Sequence, residues 1–208
     1  MIAIIEYGMG NVRSVSNAFE LLGTKIEITN DPKQLSYADA IILPGVGAFS
    51  DGMRNLREKG LIDALREEIL EKKKPYLGIC LGLEFLAEKS FEGGIHEGLG
   101  WLKGIVTKIE PHHSSHKVPH MGWDDTKITK TGGILTELEN PSFYYLHSYY
   151  LKVDDSEKSV ITSTCDYGGN NITTSIQKDN IYAVQFHPEK SQETGLKLLK
   201  NFLDIINK

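Results

Sequence analysis

The stretch Pro75-Tyr76-Leu77-Gly78-Ile79-Cys80-Leu81-Gly82 decides how this chain folds. Its apolar run, 75–79, reads as a buried strand, and a cysteine follows between two glycines. Glycine lets the backbone turn sharply and admits close approach by neighbouring chain. A strand that ends in such a bracket and passes into an amphipathic stretch, 83–91, has the pattern of a nucleophile elbow. That turn holds a reactive side chain clear of a sheet. A thiol there would lie near a helix N-terminus, whose unpaired N–H groups favour the thiolate.

Upstream, residues 2–7 form a short apolar run closed by Gly8-Met9-Gly10-Asn11. Val12, Val15, Phe19 and Leu22 recur at helical spacing until Gly23 stops the helix. Residues 25–29 alternate like a strand and are broken by Asn30-Asp31-Pro32; residues 40–43 are a buried strand ending in Pro44-Gly45-Val46-Gly47. Residues 51–74 are charged and read as helical, with Leu56, Leu61, Ile62, Leu65 and Ile69 inward and a solvated outer side. Strands alternating with helices imply βαβ units around a parallel sheet.

Downstream the pattern changes. Residues 104–110, 143–153, 159–165, 173–177 and 181–186 all read as strands, and Lys178-Asp179-Asn180 reads as a hairpin turn without the usual glycine. A last helix carries Leu196, Leu199, Phe202, Leu203 and Ile206 as an apolar stripe. The expectation is one α/β domain over 1–208, its mostly parallel sheet flanked by helices and carrying an antiparallel extension.

The 208 residues can bury a full core, and 40% hydrophobic with 25% charged residues is ordinary for a globular protein. A net charge of −5 argues against nucleic acid, which calls for a basic surface. Cys80 and Cys165 make no disulfide framework and suit a reducing compartment. The start, Met1-Ile2-Ala3-Ile4-Ile5-Glu6, reads as a first strand, not a signal peptide. No run approaches the roughly 18 apolar residues of a membrane span. The chain is expected to be cytoplasmic.

In open α/β sheets, ligands sit outside the carboxyl ends of the parallel strands. Three glycine-rich loops follow such strands here: 8–11, 44–47 and 78–82. A thiolate nucleophile also needs a base, and the base an orienting group. His187 follows the strand 181–186; Pro188 stiffens the turn and Glu189 is close enough to bond the imidazole. An oxyanion would need preorganised N–H donors, for which Leu81 and the Pro44-Gly45-Val46-Gly47 loop are the candidates.

The order Pro-Gly-Val-Gly, then Gly-Ile-Cys-Leu-Gly, then His-Pro-Glu resembles the class I (triad) glutamine amidotransferases. A finer resemblance is to the glutaminase subunit of imidazole glycerol phosphate synthase. It rests on Tyr7-Gly8-Met9-Gly10-Asn11, Lys117-Val118-Pro119-His120-Met121-Gly122-Trp123, Tyr145-Leu146-His147-Ser148-Tyr149-Tyr150 and Val184-Gln185-Phe186-His187-Pro188-Glu189-Lys190-Ser191. The likeness spans the whole chain and implies a flavodoxin-like fold.

The resemblance implies that Cys80 attacks the side-chain amide of glutamine, with His187 as base and then acid and Glu189 orienting it. Val46 and Leu81 would donate to the oxyanion, and Gly47, Ser148 and Tyr149 would contact the amino-acid end of the substrate. Ammonia would pass to a (β/α)8-barrel cyclase partner in a heterodimer, with Asn11, Met121, Trp123, Tyr144 and Lys190 facing it. The partner would form imidazole glycerol phosphate and the aminoimidazole carboxamide ribotide used in purine synthesis. No cofactor, metal, nucleic acid or membrane is implied.

One residue departs from the pattern. The family usually reads Cys-Leu-Gly-Met-Gln, whereas this chain reads Cys80-Leu81-Gly82-Leu83-Glu84. An ionised Glu84 could pair with the substrate ammonium but would repel its carboxylate. Losing a neutral amide at a buried contact costs about 1–3 kcal/mol, so weaker glutamine binding is expected. Glu84 also admits a paralogous glutaminase feeding a sugar amidotransferase of surface-polysaccharide biosynthesis. The same residues are compatible with a poorly active scaffold subunit or a free-standing cysteine hydrolase.

Other residues carry plainer readings. Cys165 lies on a strand without glycines beside it and is expected to be core. His112, His113, His116 and His120 have partial metal-site spacing, but no cysteine or carboxylate cluster completes it. The loop at Gly8 is too short for a dinucleotide fingerprint and lacks the Lys-Ser/Thr of a P-loop.

Overall fold

Continuous apolar runs become strands covered on both faces, and the first half of this chain supplies three of them, Ile2–Ile5, Ala40–Gly45 and Tyr76–Cys80, with the alternating Ile26–Thr29 at the edge. The computed structural model describes residues 1–112 and 116–207. In chain order these comprise β1 (Ile2–Ile5), α1 (Val12–Leu21), β2 (Ile26–Thr29), β3 (Ala40–Gly45), α2 (Phe49–Glu58), α3 (Leu61–Arg66), β4 (Tyr76–Cys80) and α4 (Leu81–Glu84). The second half adds β5 (Lys89–Ser90), β6 (His96–Glu97), β7 (Gly104–Lys108), β8 (His120–Asp125), β9 (Lys127–Ile128), β10 (Ser142–His147) and β11 (Tyr149–Val153). It closes with β12 (Ile161–Tyr167), β13 (Asn170–Lys178), β14 (Ile181–Val184) and α5 (Gln192–Ile206).

The main sheet has eight strands in the order β2-β1-β3-β4-β14-β13-β12-β9. The first five run parallel; β13, β12 and β9 continue antiparallel. Alternate residues feed two cores. Ala3, Ile5, Ile41 and Leu43 pack with Phe49, Leu56 and Leu61 of α2 and α3. Ile2, Ile4, Ala40 and Ile42 pack with Val15 and Phe19 of α1 and Leu199 and Phe202 of α5. Helices on both faces explain why these strands read as unbroken apolar runs. Smaller sheets, β11-β7-β5-β6 and β10-β8, carry the remaining strands, antiparallel except for the parallel pair β5 and β7.

The mixed α/β class, the mostly parallel sheet and its antiparallel extension therefore stand as expected. Several details differ. The stretch 51–74 is divided at Gly60, whose φ of 67° ends the first helix; α3 then runs into a wider π turn over Glu67–Glu71. Ile62 is only half-buried there. The stretch 143–153 is two strands in different sheets, parted at Ser148. The glycine-free hairpin forms because Asp179 itself takes a positive φ of 53°. The stretch 83–91 is not an amphipathic helix. After one turn of α4 the chain dives through the core, with Phe85, Leu86 and Ala87 all buried.

Candidate active site

β4 is buried along its whole length between β3 and β14. Cys80 ends it at φ 54° and ψ −106°, a conformation that costs a non-glycine residue about 1–3 kcal/mol and persists only when its surroundings impose it. The surroundings are visible. A side chain on Gly82 would run into the Leu43 carbonyl, and one on Gly78 into the Gly82 carbonyl. The Tyr76 hydroxyl donates to the Gly82 carbonyl oxygen at 2.8 Å and pins the turn. The glycine bracket thus permits the close packing that forces the cysteine into its strained position.

The thiol lies 3.9 Å from both the Leu146 carbonyl oxygen and the Gln185 amide nitrogen. Its pKa is raised well above the ordinary value, by burial first and then by Glu84 and Glu189; the Leu81 N–H and Gln185 oppose this. This corrects the expected helix effect: α4 is one turn long, too short for its N-terminus to outweigh desolvation. At rest the group is a thiol that needs a base.

β14 lies beside β4 in parallel register, Val184 opposite Ile79, and the chain beyond it carries Gln185, His187 and Glu189. His187 Nδ1 is 2.9 Å from Glu189 Oε1, with both side chains buried. Donation from Nδ1 to the carboxylate leaves Nε2 as the basic nitrogen. That atom is buried without a hydrogen-bond partner. His187 is further fixed through its backbone: its N–H donates to the Tyr144 carbonyl, and its own carbonyl accepts from the Ser191 hydroxyl at 2.6 Å.

A cavity of about 340 Å³ opens over Cys80. Val46, Gly47, Leu81, Glu84, Ser148 and Tyr149, all singled out in the sequence, line it together with the cysteine. Gly45 pairs with Cys80 across β3 and β4, which brings Val46 to the rim. Glu92, Pro119, Leu146 and His147 also line it and were missed as site residues. Glu92 had no signal, since it lies in a loop folded back onto the N-terminus of α2, where it accepts the Phe49 N–H at 2.7 Å. His147 had one in its place beside Ser148. Its Nδ1 faces the Tyr149 carbonyl at 2.8 Å and its Nε2 faces His120 Nδ1 at 3.1 Å. Burial pushes its pKa down to about 3, so it is neutral.

Glu84 differs from its expected state. Its side chain is buried, accepts the Gln185 amide N–H at 2.9 Å, and is raised to a pKa of about 8 by burial, with Glu92 adding to the shift. Most of the group is a neutral acid at pH 7. Burial thus favours the neutral acid, whereas the expected repulsion of a substrate carboxylate presumes an ionised Glu84.

The residues expected to face a partner fall largely on one ribbon. Met121 and Trp123 of β8 are 65% and 48% exposed, and Tyr144 of β10 pairs with Trp123. Lys190 Nζ sits 5.7 Å from the Tyr144 ring. Asn11 lies apart from the ribbon at the start of α1, accepting the Ser14 hydroxyl at 2.8 Å. Cys165 is buried on β12, and burial raises its thiol to about 12. His120 is stacked between Tyr145 and Tyr167, and His116 packs edge-on against Tyr167; His113 lies outside the described residues. Among the described residues, no group of three or more His, Cys, Asp or Glu could hold a metal ion. Nor is any helix among them long and apolar enough to cross a membrane.

The family model for glutamine amidotransferase class-I matches residues 3–206. The chain belongs to the class-I glutamine amidotransferases. Among relatives of this amidotransferase, "Imidazole glycerol phosphate synthase subunit HisH 1" of Campylobacter jejuni is 47% identical, over 98% of this chain and 99% of the relative. "Imidazole glycerol phosphate synthase subunit HisH" of Aquifex aeolicus is 49% identical, over 96% and 94%. Solved structures share the fold: "Structure of PurLQS from Thermotoga maritima" matches at TM-score 0.76 and 21% identity, over 99% of this chain and 98% of that one. A "Crystal structure of glutamine amidotransferase" matches at TM-score 0.75 and 18% identity, over all of both chains.

Proposed function

We propose that this amidotransferase is the glutaminase subunit of imidazole glycerol phosphate synthase, acting as one domain over 1–208 in the cytoplasm. The observation that carries the chemistry is a strained cysteine opening on a cavity, beside a strand that bears a buried imidazole–carboxylate pair. The relatives' names favour the imidazole branch over sugar amidation, and their high identity weighs against a free-standing hydrolase.

Glutamine enters with its side-chain amide against Cys80. His187 Nε2 takes the thiol proton, and the sulfur attacks the amide carbon. The resulting oxyanion accepts N–H bonds from Leu81 and Val46, and Glu189 holds the imidazolium that forms. His187 returns the proton to the departing nitrogen, releasing ammonia and leaving a thioester. Water, deprotonated by the same imidazole, then releases glutamate. Gly47, Ser148, Tyr149 and Glu84 hold the amino-acid end, and the Glu92 carboxylate offers a partner to the ammonium.

Ammonia passes to a (β/α)8-barrel cyclase subunit docked on Met121, Trp123, Tyr144 and Lys190, with Asn11 at the margin. Aromatic and methionine side chains exposed beside a lysine suit such an interface. The test is glutamate release by the complex with the barrel subunit and its acceptor substrate. Glutamate should accumulate with wild type and fall at least a thousandfold with Cys80→Ala. Equal release by the two proteins would sink the assignment.

A further inference from the structure

The cavity over Cys80 poses a charge problem. Two carboxyl groups, Glu84 and Glu92, line it, and among the described residues no lysine or arginine does. Glutamine is a zwitterion with one cation and one anion at its amino-acid end. Were both carboxyls ionised, one could pair with the ammonium, and the other would stand unpaired beside the substrate carboxylate.

The two are not equivalent. Glu92 lies towards the start of α2 and accepts the Phe49 backbone N–H at 2.7 Å, an environment that suits an anion. Glu84 is held on the deep side, 4% exposed. Its surroundings come from four directions. Cys80 at the end of β4 and Tyr7 beyond β1 interact with it only as further potential anions. Gln185 beyond β14 donates one amide N–H to it, and Glu92 faces it as a like charge. Glu189, with His187 hydrogen-bonded to it, also raises the Cys80 thiol through its charge. No salt bridge to Glu84 is found among the described residues. A neutral amide and potential anions are poor company for a carboxylate and good company for a carboxylic acid.

We propose that Glu84 binds glutamine as a neutral carboxylic acid whose O–H donates to the substrate carboxylate, and that losing this proton shuts the site. This rests on the glutaminase reading. Ionisation would act twice. It would replace the donor by a charge that repels the substrate carboxylate. It would also set a second anion beside Cys80, opposing the thiolate on which attack depends. The burial that lifts this carboxyl to a pKa of about 8 places the change just above neutral pH.

The test is protection of Cys80 from iodoacetamide by L-glutamine, read on the Cys80 peptide by mass spectrometry between pH 6.5 and 9. The ratio of rates with and without glutamine removes the titration of the thiol itself. The glutamine ammonium titrates identically for wild type and Glu84→Gln, so their difference reads Glu84. The half-protecting concentration should be flat up to about pH 7.5 in wild type. It should then rise to roughly ten times its pH 7 value by pH 9, relative to Glu84→Gln. In the absence of glutamine, alkylation should rise less steeply above pH 8 in wild type than in Glu84→Gln. A wild-type curve parallel to that of Glu84→Gln overturns the proposal while leaving the glutaminase reading in place. Failure of glutamine to protect either protein at any pH overturns that reading, and the proposal with it.

Discussion

Glu84 shows how far a single side chain's meaning depends on its burial. Its identity and its place four residues after Cys80 are legible in sequence; its protonation is not, because desolvation belongs to the fold. The sequence pattern placed Leu83 at the start of an amphipathic stretch, and the family resemblance placed Glu84 against the substrate's amino-acid end. The fold sends residues 81–87 through the core instead and buries this carboxyl. The consequence for stability has a definite sign. In the unfolded chain the group titrates near 4.5, and in the folded protein near 8. Between those values the folded protein keeps a proton that the unfolded chain has released, so rising pH favours unfolding. The associated stability is fully present below pH 4.5 and is lost as pH climbs towards 8. Glu84→Gln, with no proton to lose, should gain on wild type over that window by on the order of 3 kcal/mol. Urea unfolding of both proteins at pH 5 and pH 8 measures it. A difference that stays constant with pH would mean the carboxyl is ionised in the folded state.

Among the elements, the turn after β14 has the most demanding task, since it must hold an imidazole still while leaving one nitrogen free. Sequence showed the strand, the proline and the carboxylate two residues on. It did not show Ser191 as the anchor. The Ser191 hydroxyl donates to the His187 carbonyl and accepts the Tyr144 N–H at 3.0 Å, joining the turn to β10 beside the backbone bond from the His187 N–H to the Tyr144 carbonyl. A lone serine after Lys190 reads locally as a helix start; its partners lie 4 and 47 residues back along the chain. Ser191→Ala would strand the part-buried Tyr144 N–H, at a cost of about 1–3 kcal/mol. A loss near 2 kcal/mol in chemical denaturation is expected, and one below about 0.5 kcal/mol would show that the bond is not needed. The same lesson applies to β10 and β11. They read as one run, 143–153, because both are apolar and β-branched or aromatic, and only the change of sheet at Ser148 separates them. That break sets Ser148 and Tyr149 on the cavity wall.

For the whole molecule, the decisive junction is β14, which pairs parallel with β4 and antiparallel with β13. It welds the parallel half to the antiparallel half and brings residues 105 positions apart, Cys80 and Gln185, within 3.9 Å. The βαβ rhythm of the first half announced its parallel sheet, since period and strand length are local properties. Strand order in the second half is a matter of long-range pairing, which no local property of the sequence carries. The junction leaves β8 and β10 as a two-stranded ribbon outside the main sheet, close behind the cavity: His120 on β8 reaches His147 on its wall at 3.1 Å. On the ribbon's outer side Trp123 and Met121 are the large apolar residues left open to solvent. An indole half-exposed on a monomer contributes little to that monomer's stability and much to an interface that covers it. Trp123→Ala should therefore change the unfolding free energy of the isolated chain by less than about 1 kcal/mol, while weakening association with the proposed partner subunit tenfold or more. Titration calorimetry against the proposed partner subunit and urea unfolding of the chain alone supply the two numbers. Unchanged association would move the docking surface off this ribbon, and a large loss of stability would make Trp123 a core residue in disguise.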